Sequence, residues 1–321
     1  MTTSDRYLAF ADIEAEGSSP SYEAVAKAVS NDVTVLDLLE SLEPTKRQPN
    51  LLFAACQFLG VTFDNPRETL EFMTSHWNDV ATVMRERSTQ TSESARAATF
   101  LPLLAKLPQP LSLIEVGASA GLCLYPDRFR IRYGDAEPVG PFDSPVTLDV
   151  AVSGPIPIPT EELEITWRAG VDLNPLNVSN AEDLAWLSAC IWPEHTSRRE
   201  RLYAAASIAE REPPEIRRGD LIEEIDDILH SVPRGSTPVV FHSAVLNYLD
   251  VDRRLEFARR LQMHKTAIWI SNEGPGVIVG VDSDASLPEG YNSRNYFVVG
   301  WRGERSVAIS DPHGRWLNWR M

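Results

Sequence analysis

The residues best suited to chemistry gather around a glycine-rich turn, Gly117-Ala-Ser-Ala-Gly121, which directly follows the apolar run Leu111-Ser-Leu-Ile-Glu-Val116. Small residues at the end of a buried strand let the backbone approach a ligand closely. A helix starting there would aim free N–H groups at it. Glu115, Gly117, Ala118, Ser119 and Gly121 are therefore candidate ligand contacts. The spacing is not GxGxxG, which excludes the dinucleotide fingerprint. Acids recur after later apolar runs. Asp172, in Gly170-Val-Asp-Leu-Asn-Pro175, could accept two charge-assisted hydrogen bonds from a vicinal diol. Asp220, after Arg217-Arg218-Gly219, is either a second ligand contact or a helix N-cap. His242 ends the run Pro238–His242 and is the first candidate for a general base, with Glu273 second; the alternative for His242 is a hydrogen-bonded core histidine. If His195, His242, Glu273 and His313 converged they could bind a metal. Their spacing carries no local signature such as HExxH, so no metal is expected.

These residues need strands and helices to position them. From the N-terminus to about residue 107 the pattern is helical throughout. Tyr22, Val25, Ala26 and Val29 fall on one helical face, as do Val35, Leu38, Leu39 and Leu42. Leu51–Leu59 is apolar nearly all round, as in a helix buried inside a bundle. Asn65-Pro66-Arg67-Glu68 supplies a cap, a first-turn proline and a capping-box glutamate. After Pro110, short strand runs at 111–116, 164–169, 214–217, 238–242 and 266–271 alternate with helical patterns at 180–192, 197–211, 221–230 and 251–263. That alternation predicts an α/β fold with a mainly parallel sheet covered on both faces. Residues 295–301 and 306–310, joined at Gly303, read as a terminal antiparallel hairpin. The proline-rich stretch 125–163 reads as an inserted hairpin and loop. The expected organisation is a helical domain over residues 1–107 and an α/β domain over residues 108–321.

Composition narrows the partners. The chain has 321 residues, with 30 basic and 46 acidic side chains giving a formal net charge of −16. That balance disfavours nucleic acid, whose phosphates would be repelled. No apolar run reaches the roughly 18 residues that span a bilayer. The N-terminus has no secretory-signal pattern, and Cys56, Cys123 and Cys190 lack disulfide or zinc spacing. A cytoplasmic protein acting on a small molecule is the expectation, and nothing indicates its oligomeric state.

Two resemblances sharpen this reading. Gly117-Ala-Ser-Ala-Gly121 resembles the nucleophile elbow of α/β-hydrolases, with Ser119 as nucleophile and the chain order Ser119, Asp282 or Asp284, His313. Against it, the elbow would follow the first strand of the chain, and no oxyanion-hole glycines precede it. The acid-plus-glycine turn, with Ser119 in place of a middle glycine, together with Asp172 and Asp220 at successive strand ends, resembles class I methyltransferases that use S-adenosylmethionine (SAM). That resemblance covers roughly residues 108–321. It implies a Rossmann-like sheet, SAM held by Glu115, Gly117, Ala118, Ser119, Gly121, Asp172 and Asp220, and methylation of a small molecule. A non-catalytic nucleotide- or metabolite-binding module is the third reading. Over nearly its full length the chain also resembles a bacterial family known only as a domain of unknown function. The segments that carry this are Asn50-Leu-Leu-Phe-Ala, Gln90-Thr-Ser-Glu93, Glu115–Leu122, Asp172–Pro175, Trp192-Pro-Glu-His195, Phe241–Leu246, Ser271–Gly276 and Asp311–Trp316. Of these, Gln90–Glu93 is a candidate to reach the glycine turn from outside the sheet.

Overall fold

Apolar periodicity at the N-terminus produces a series of helices in the computed structural model, which describes residues 1–281 and 296–320. These are α1 (Thr3–Ala9), α2 (Pro20–Asn31), α3 (Val33–Glu40), α4 (Pro49–Phe58), α5 (Pro66–Ser75) and α6 (Trp77–Glu86), with a π-helical turn at Phe10–Ala15. Tyr22, Val25, Ala26 and Val29 are all buried, and α4 is buried from Leu51 to Cys56. Asn65 caps α5 as its sequence indicates, accepting from Arg67 N–H at 3.0 Å.

The chain divides into two units, residues 1–91 with 179–202, and residues 92–178 with 203–321. This differs from a single boundary near residue 107. Helix α7 (Ala97–Leu104), fully buried along its length, belongs to the second unit, while α8 (Ala181–Ala189) belongs to the first. In the first unit, Tyr7, Phe10, Tyr22, Phe53, Phe63 and Trp192 form an aromatic core with ring centroids 4.8–6.0 Å apart. The segment Trp192-Pro-Glu-His195 acts there as a clamp. Trp192 Nε1–H donates to Asn50 Oδ1 at 3.0 Å, Glu194 accepts from Ser21 N–H at 2.9 Å, and His195 Nε2 lies 3.1 Å from Ser18 Oγ.

The second unit is built on a mostly parallel sheet of ten strands. They are β1 (Leu111–Val116), β2 (Arg130–Tyr133), β3 (Thr147–Ser153), β4 (Ile165–Asp172), β5 (Glu215–Arg218), β6 (Thr237–Ser243), β7 (Ile268–Glu273), β8 (Phe297–Trp301), β9 (Arg305–Ser310) and β10 (Trp316–Trp319). Their spatial order is β2-β3-β10-β9-β8-β7-β6-β1-β4-β5. The five parallel strands β5, β4, β1, β6 and β7 form one continuous block, and β8 and β9 pair antiparallel as the terminal pattern predicts. Asn295, the expected first residue of that hairpin, lies outside the described residues.

Two expectations are corrected. The insert at 125–163 is not a hairpin: β2 and β3 run parallel, and β3 pairs with β10 at the far side of the sheet. The reason is the connection over residues 134–146, which is long enough for a crossover, whereas adjacent antiparallel strands need only a tight turn. No α-helix follows the glycine turn either. Only a three-residue 3₁₀ turn, Leu122–Leu124, succeeds Gly121.

Helices α9 (Thr196–Arg211), α10 (Leu221–His230) and α11 (Val251–Met263) fill the remaining crossovers. On one face of the sheet, Ile114, Val116, Val171 and Trp269 pack with Ile222, Ile225, Phe257 and Leu261 from α10 and α11. On the other face, Phe241 meets Phe100 of α7 at 4.8 Å. Among the described residues, no helix is long and apolar enough to cross a membrane. Phe257 is fully buried between α11 and the sheet, so Phe257→Ala should lower stability by about 3–5 kcal/mol, the usual cost of an aromatic-sized core cavity. Urea denaturation followed by tryptophan fluorescence measures it.

Candidate functional site

Strand β1 ends where its neighbours diverge. It pairs with β4 on one side and β6 on the other, with Glu115 opposite Gly170 and Phe241. In open parallel sheets a crevice forms at such a reversal, outside the carboxyl ends of the strands. The glycine turn lies there. Gly117 has φ +70°, and a Cβ at that position would fall 2.4 Å from Val245 Cγ2, so only glycine fits. Ser119 is also left-handed, at φ +53°, a conformation that costs a non-glycine residue free energy unless its surroundings hold it. Asp172 supplies the hold: its Oδ2 accepts from Ser119 N–H and its Oδ1 from Asn174 N–H, both at 2.8 Å. Ser119 Oγ lies 2.7 Å from Ser92 Oγ. Thus the segment around Gln90–Glu93 does reach the turn, through Ser92.

Glu115 sits just below this turn and is buried. Its Oε2 has no hydrogen-bond partner among the described residues. Burial pushes its carboxyl up to about 8. Hydrogen bonding from Cys123 and the Arg96 guanidinium act in the opposite direction, and the Asp172 carboxylate adds to the rise. Arg96 is itself buried; its Nε–H donates to Pro312 O at 2.7 Å, and its guanidinium carbon lies 5.7 Å from the Phe297 ring centroid. Cys123 Sγ–H donates to Glu93 O at 3.4 Å, and Glu93 Oε2 lies 3.9 Å from His313 Nδ1. Asn272 continues the polar row, donating to Ser243 Oγ at 3.0 Å and accepting from Ser310 Oγ–H at 2.7 Å.

His242 and Glu273 are close together, but not where a substrate could meet them. His242 is fully buried, and Trp269 Nε1–H donates to its Nε2 at 2.9 Å. An indole N–H can only donate, so Nε2 is unprotonated and the ring proton sits on Nδ1, 2.7 Å from Glu273 Oε1. The same oxygen accepts from Val245 N–H at 3.0 Å and Leu246 N–H at 3.1 Å. Both ring nitrogens of His242 are therefore committed, which argues against its use as a general base; Glu273 is engaged through Oε1, while its buried Oε2 has no hydrogen-bond partner among the described residues. They fix the loop after β6, whose Val245 packs on Gly117.

The remaining candidates are dispersed. Asp220 caps α10 through Ile222 N–H at 2.9 Å and pairs with Arg253, which favours its structural reading. His195 belongs to the clamp in the first unit. His313 N–H donates to Asp311 Oδ1 at 2.8 Å, in a turn that Arg315 also grips. Among the described residues no group of three or more His, Cys, Asp or Glu side chains could hold a metal ion. The hydrolase acids Asp282 and Asp284 lie outside the described residues. Sequence reasoning missed Arg96 and Cys123. Their only signal was position, three residues after Glu93 and two after Gly121, and chain proximity does not reveal which carboxylate they face.

Glu115 yields a measurable consequence. Its folded-state value lies above that of an unfolded glutamate, so the folded protein binds the extra proton. Its contribution is fully present below about pH 4.5 and is lost as the pH rises through about 8. Wild-type stability should fall across that window with a slope approaching about 1.4 kcal/mol per pH unit from this group. Glu115→Gln should remove most of the slope, as read by urea midpoints from pH 5 to pH 8.

No curated protein and no solved structure matches the chain. Residues 4–319 match the model of a family described as "Uncharacterized protein conserved in bacteria (DUF2332)", and the chain belongs to that family.

Proposed function

We propose that the second unit binds S-adenosylmethionine at the carboxyl ends of β1 and β4 and directs its methyl group to a small molecule. The observation that carries this reading is a coincidence of place. The left-handed turn at 117–121, the Asp172 carboxylate and the unpartnered Glu115 Oε2 all lie at the point where strand order reverses. The parallel order β5-β4-β1-β6-β7 is compatible with a Rossmann-like sheet and supports the reading.

The residues present fit such a ligand. Gly117, Ala118, Ser119 and Gly121 place no bulky side chain at the end of β1; Gly117 is half-buried and the other three are buried. Asp172 uses one lone pair of each oxygen to brace the turn, and a carboxylate has about four such sites. Its remaining capacity suits a ribose diol. Glu115 Oε2 offers one buried hydrogen-bonding atom beneath. When bound, SAM supplies an already activated methyl group on its sulfonium. The chain's own contribution is orientation and exclusion of water, and orientation can remove up to roughly 7–11 kcal/mol of barrier. No general base is assigned: both ring nitrogens of His242 are engaged, and Glu273 is buried with its Oε1 holding His242 and two backbone N–H groups. Asp220 is left with its helix and Arg253.

The burial of His242 and Glu273 favours a second reading, a metabolite-binding module without turnover. The serine-esterase alternative is weaker, since only a three-residue 3₁₀ turn and no α-helix directly follows the Ser119 turn, and its Oγ is paired with Ser92. Calorimetric titration of the full-length protein with SAM and S-adenosylhomocysteine tests the proposal. Micromolar binding is expected, weakened at least about tenfold in Asp172→Asn, since a charge-assisted bond contributes roughly 1.5–3 kcal/mol. Absence of binding by folded wild-type protein overturns the SAM reading. Binding without methyl transfer to any compound of a metabolite panel selects the non-catalytic module.

A further inference from the structure

The first unit contains an open cavity of about 490 Å³ whose lining includes Arg6, Phe10, Glu14, Gln48, Pro49 and Asn50. It lies within the range of small-molecule sites, about 300–1,000 Å³. Its floor is apolar: Phe10 is 3% exposed, and Pro49, at the start of α4, is buried. Its polar groups are held from outside. Trp192 Nε1–H occupies Asn50 Oδ1, which leaves the Asn50 amide hydrogens to bind Glu14. Glu14 stands on the π-helical turn Phe10–Ala15, where Glu16 N–H donates to Ala11 O at 3.0 Å. With more than four residues per turn, this local widening brings Phe10 and Glu14 onto one side, and such turns are frequent at functional sites. Although Glu14 is exposed, the concave surroundings of its carboxyl raise it above the ordinary glutamate range, against the bond from Asn50. Arg6, on α1, is held by Pro44 O at 3.3 Å rather than by Glu14.

The cavity thus presents one cation and one anion that do not neutralise each other, above an apolar floor. We propose that it binds a small zwitterion, an α-amino acid or a short peptide, with the ligand ammonium on Glu14 and its carboxylate on Arg6. A ligand with a single charge would leave the opposite charge of the cavity unmatched, whereas a zwitterion satisfies both. Arg suits the carboxylate because its fork can meet both oxygens. The ligand's side chain lies over Phe10 and Pro49, and Gln48 offers a further amide at the edge. The volume exceeds what one amino acid fills, so a dipeptide fits as well.

This proposal does not rest on SAM binding in the second unit. The test is calorimetric titration of the full-length protein with the standard L-amino acids and the dipeptide Leu-Leu, each at millimolar concentration. Saturable binding of at least one of them is expected. Its N-acetylated and C-amidated forms should bind at least about tenfold more weakly, the loss of one charge-assisted contact. Arg6→Gln and Glu14→Gln should each weaken binding to a similar degree. The comparison of amino acid with dipeptide decides ligand length. If no zwitterion binds, the proposal fails. It also fails if binding survives both the blocked ligands and the two substitutions. Should a variant not fold, the blocked ligands on wild-type protein decide.

Discussion

Two carboxylates that accept backbone N–H groups, Asp172 and Glu273, hold the carboxyl end of β1 in shape. Asp172 stabilises a left-handed Ser119 that would otherwise be strained. Glu273 draws in the N–H groups of Val245 and Leu246, and Val245 then closes against Gly117. The turn is therefore gripped by β4 on one side and, on the other, by the loop after β6 that Glu273 of β7 holds. A charged acceptor in a buried or half-buried setting is stronger than a neutral one, and leaving its donors unpaired would be costly. That asymmetry makes the geometry of the turn specific.

The Trp269–His242–Glu273 chain shows how a polar network can look catalytic and be structural. Its distances, 2.9 Å and 2.7 Å, would suit an acid–base relay. The direction of the first bond decides otherwise. An indole donor fills the nitrogen that a general base would need, and full burial keeps substrate away. The result is a rigid support for the loop after β6. Glu115 is the contrasting case. It is buried without a strong partner, so desolvation governs it, and the neutral acid is favoured over much of the physiological range.

Each unit has its own logic. In the first, interlocked aromatic rings and the Trp192–His195 clamp fix helices from distant parts of the sequence, and the same Trp192 orients Asn50 toward Glu14. In the second, a central parallel block is extended by antiparallel β8, β9 and β10 and then by the inserted β2 and β3. Each unit pairs a rigid apolar support with polar groups held out from it, at a strand reversal in one and at a widened helical turn in the other.

The sequence alone determined what depends on local rules. Helix periodicity placed α2, α4 and α5, alternating strand and helix patterns placed β1, β4, β5, β6 and β7, and Gly117–Gly121 marked the turn, because periodicity and backbone freedom are carried by neighbouring residues. It also set Asn65 as a cap and the β8–β9 pair as a hairpin. Tertiary structure decided everything that depends on which groups face one another. It turned the 125–163 insert into parallel edge strands, moved α7 into the second unit, and removed the helix expected after Gly121. It took His242 out of reach by placing Trp269 against Nε2, gave Asp220 to its helix, and brought Arg96 and Cys123 to Glu115. Desolvation and hydrogen-bond direction are properties of a three-dimensional neighbourhood, and no spacing along the chain encodes them.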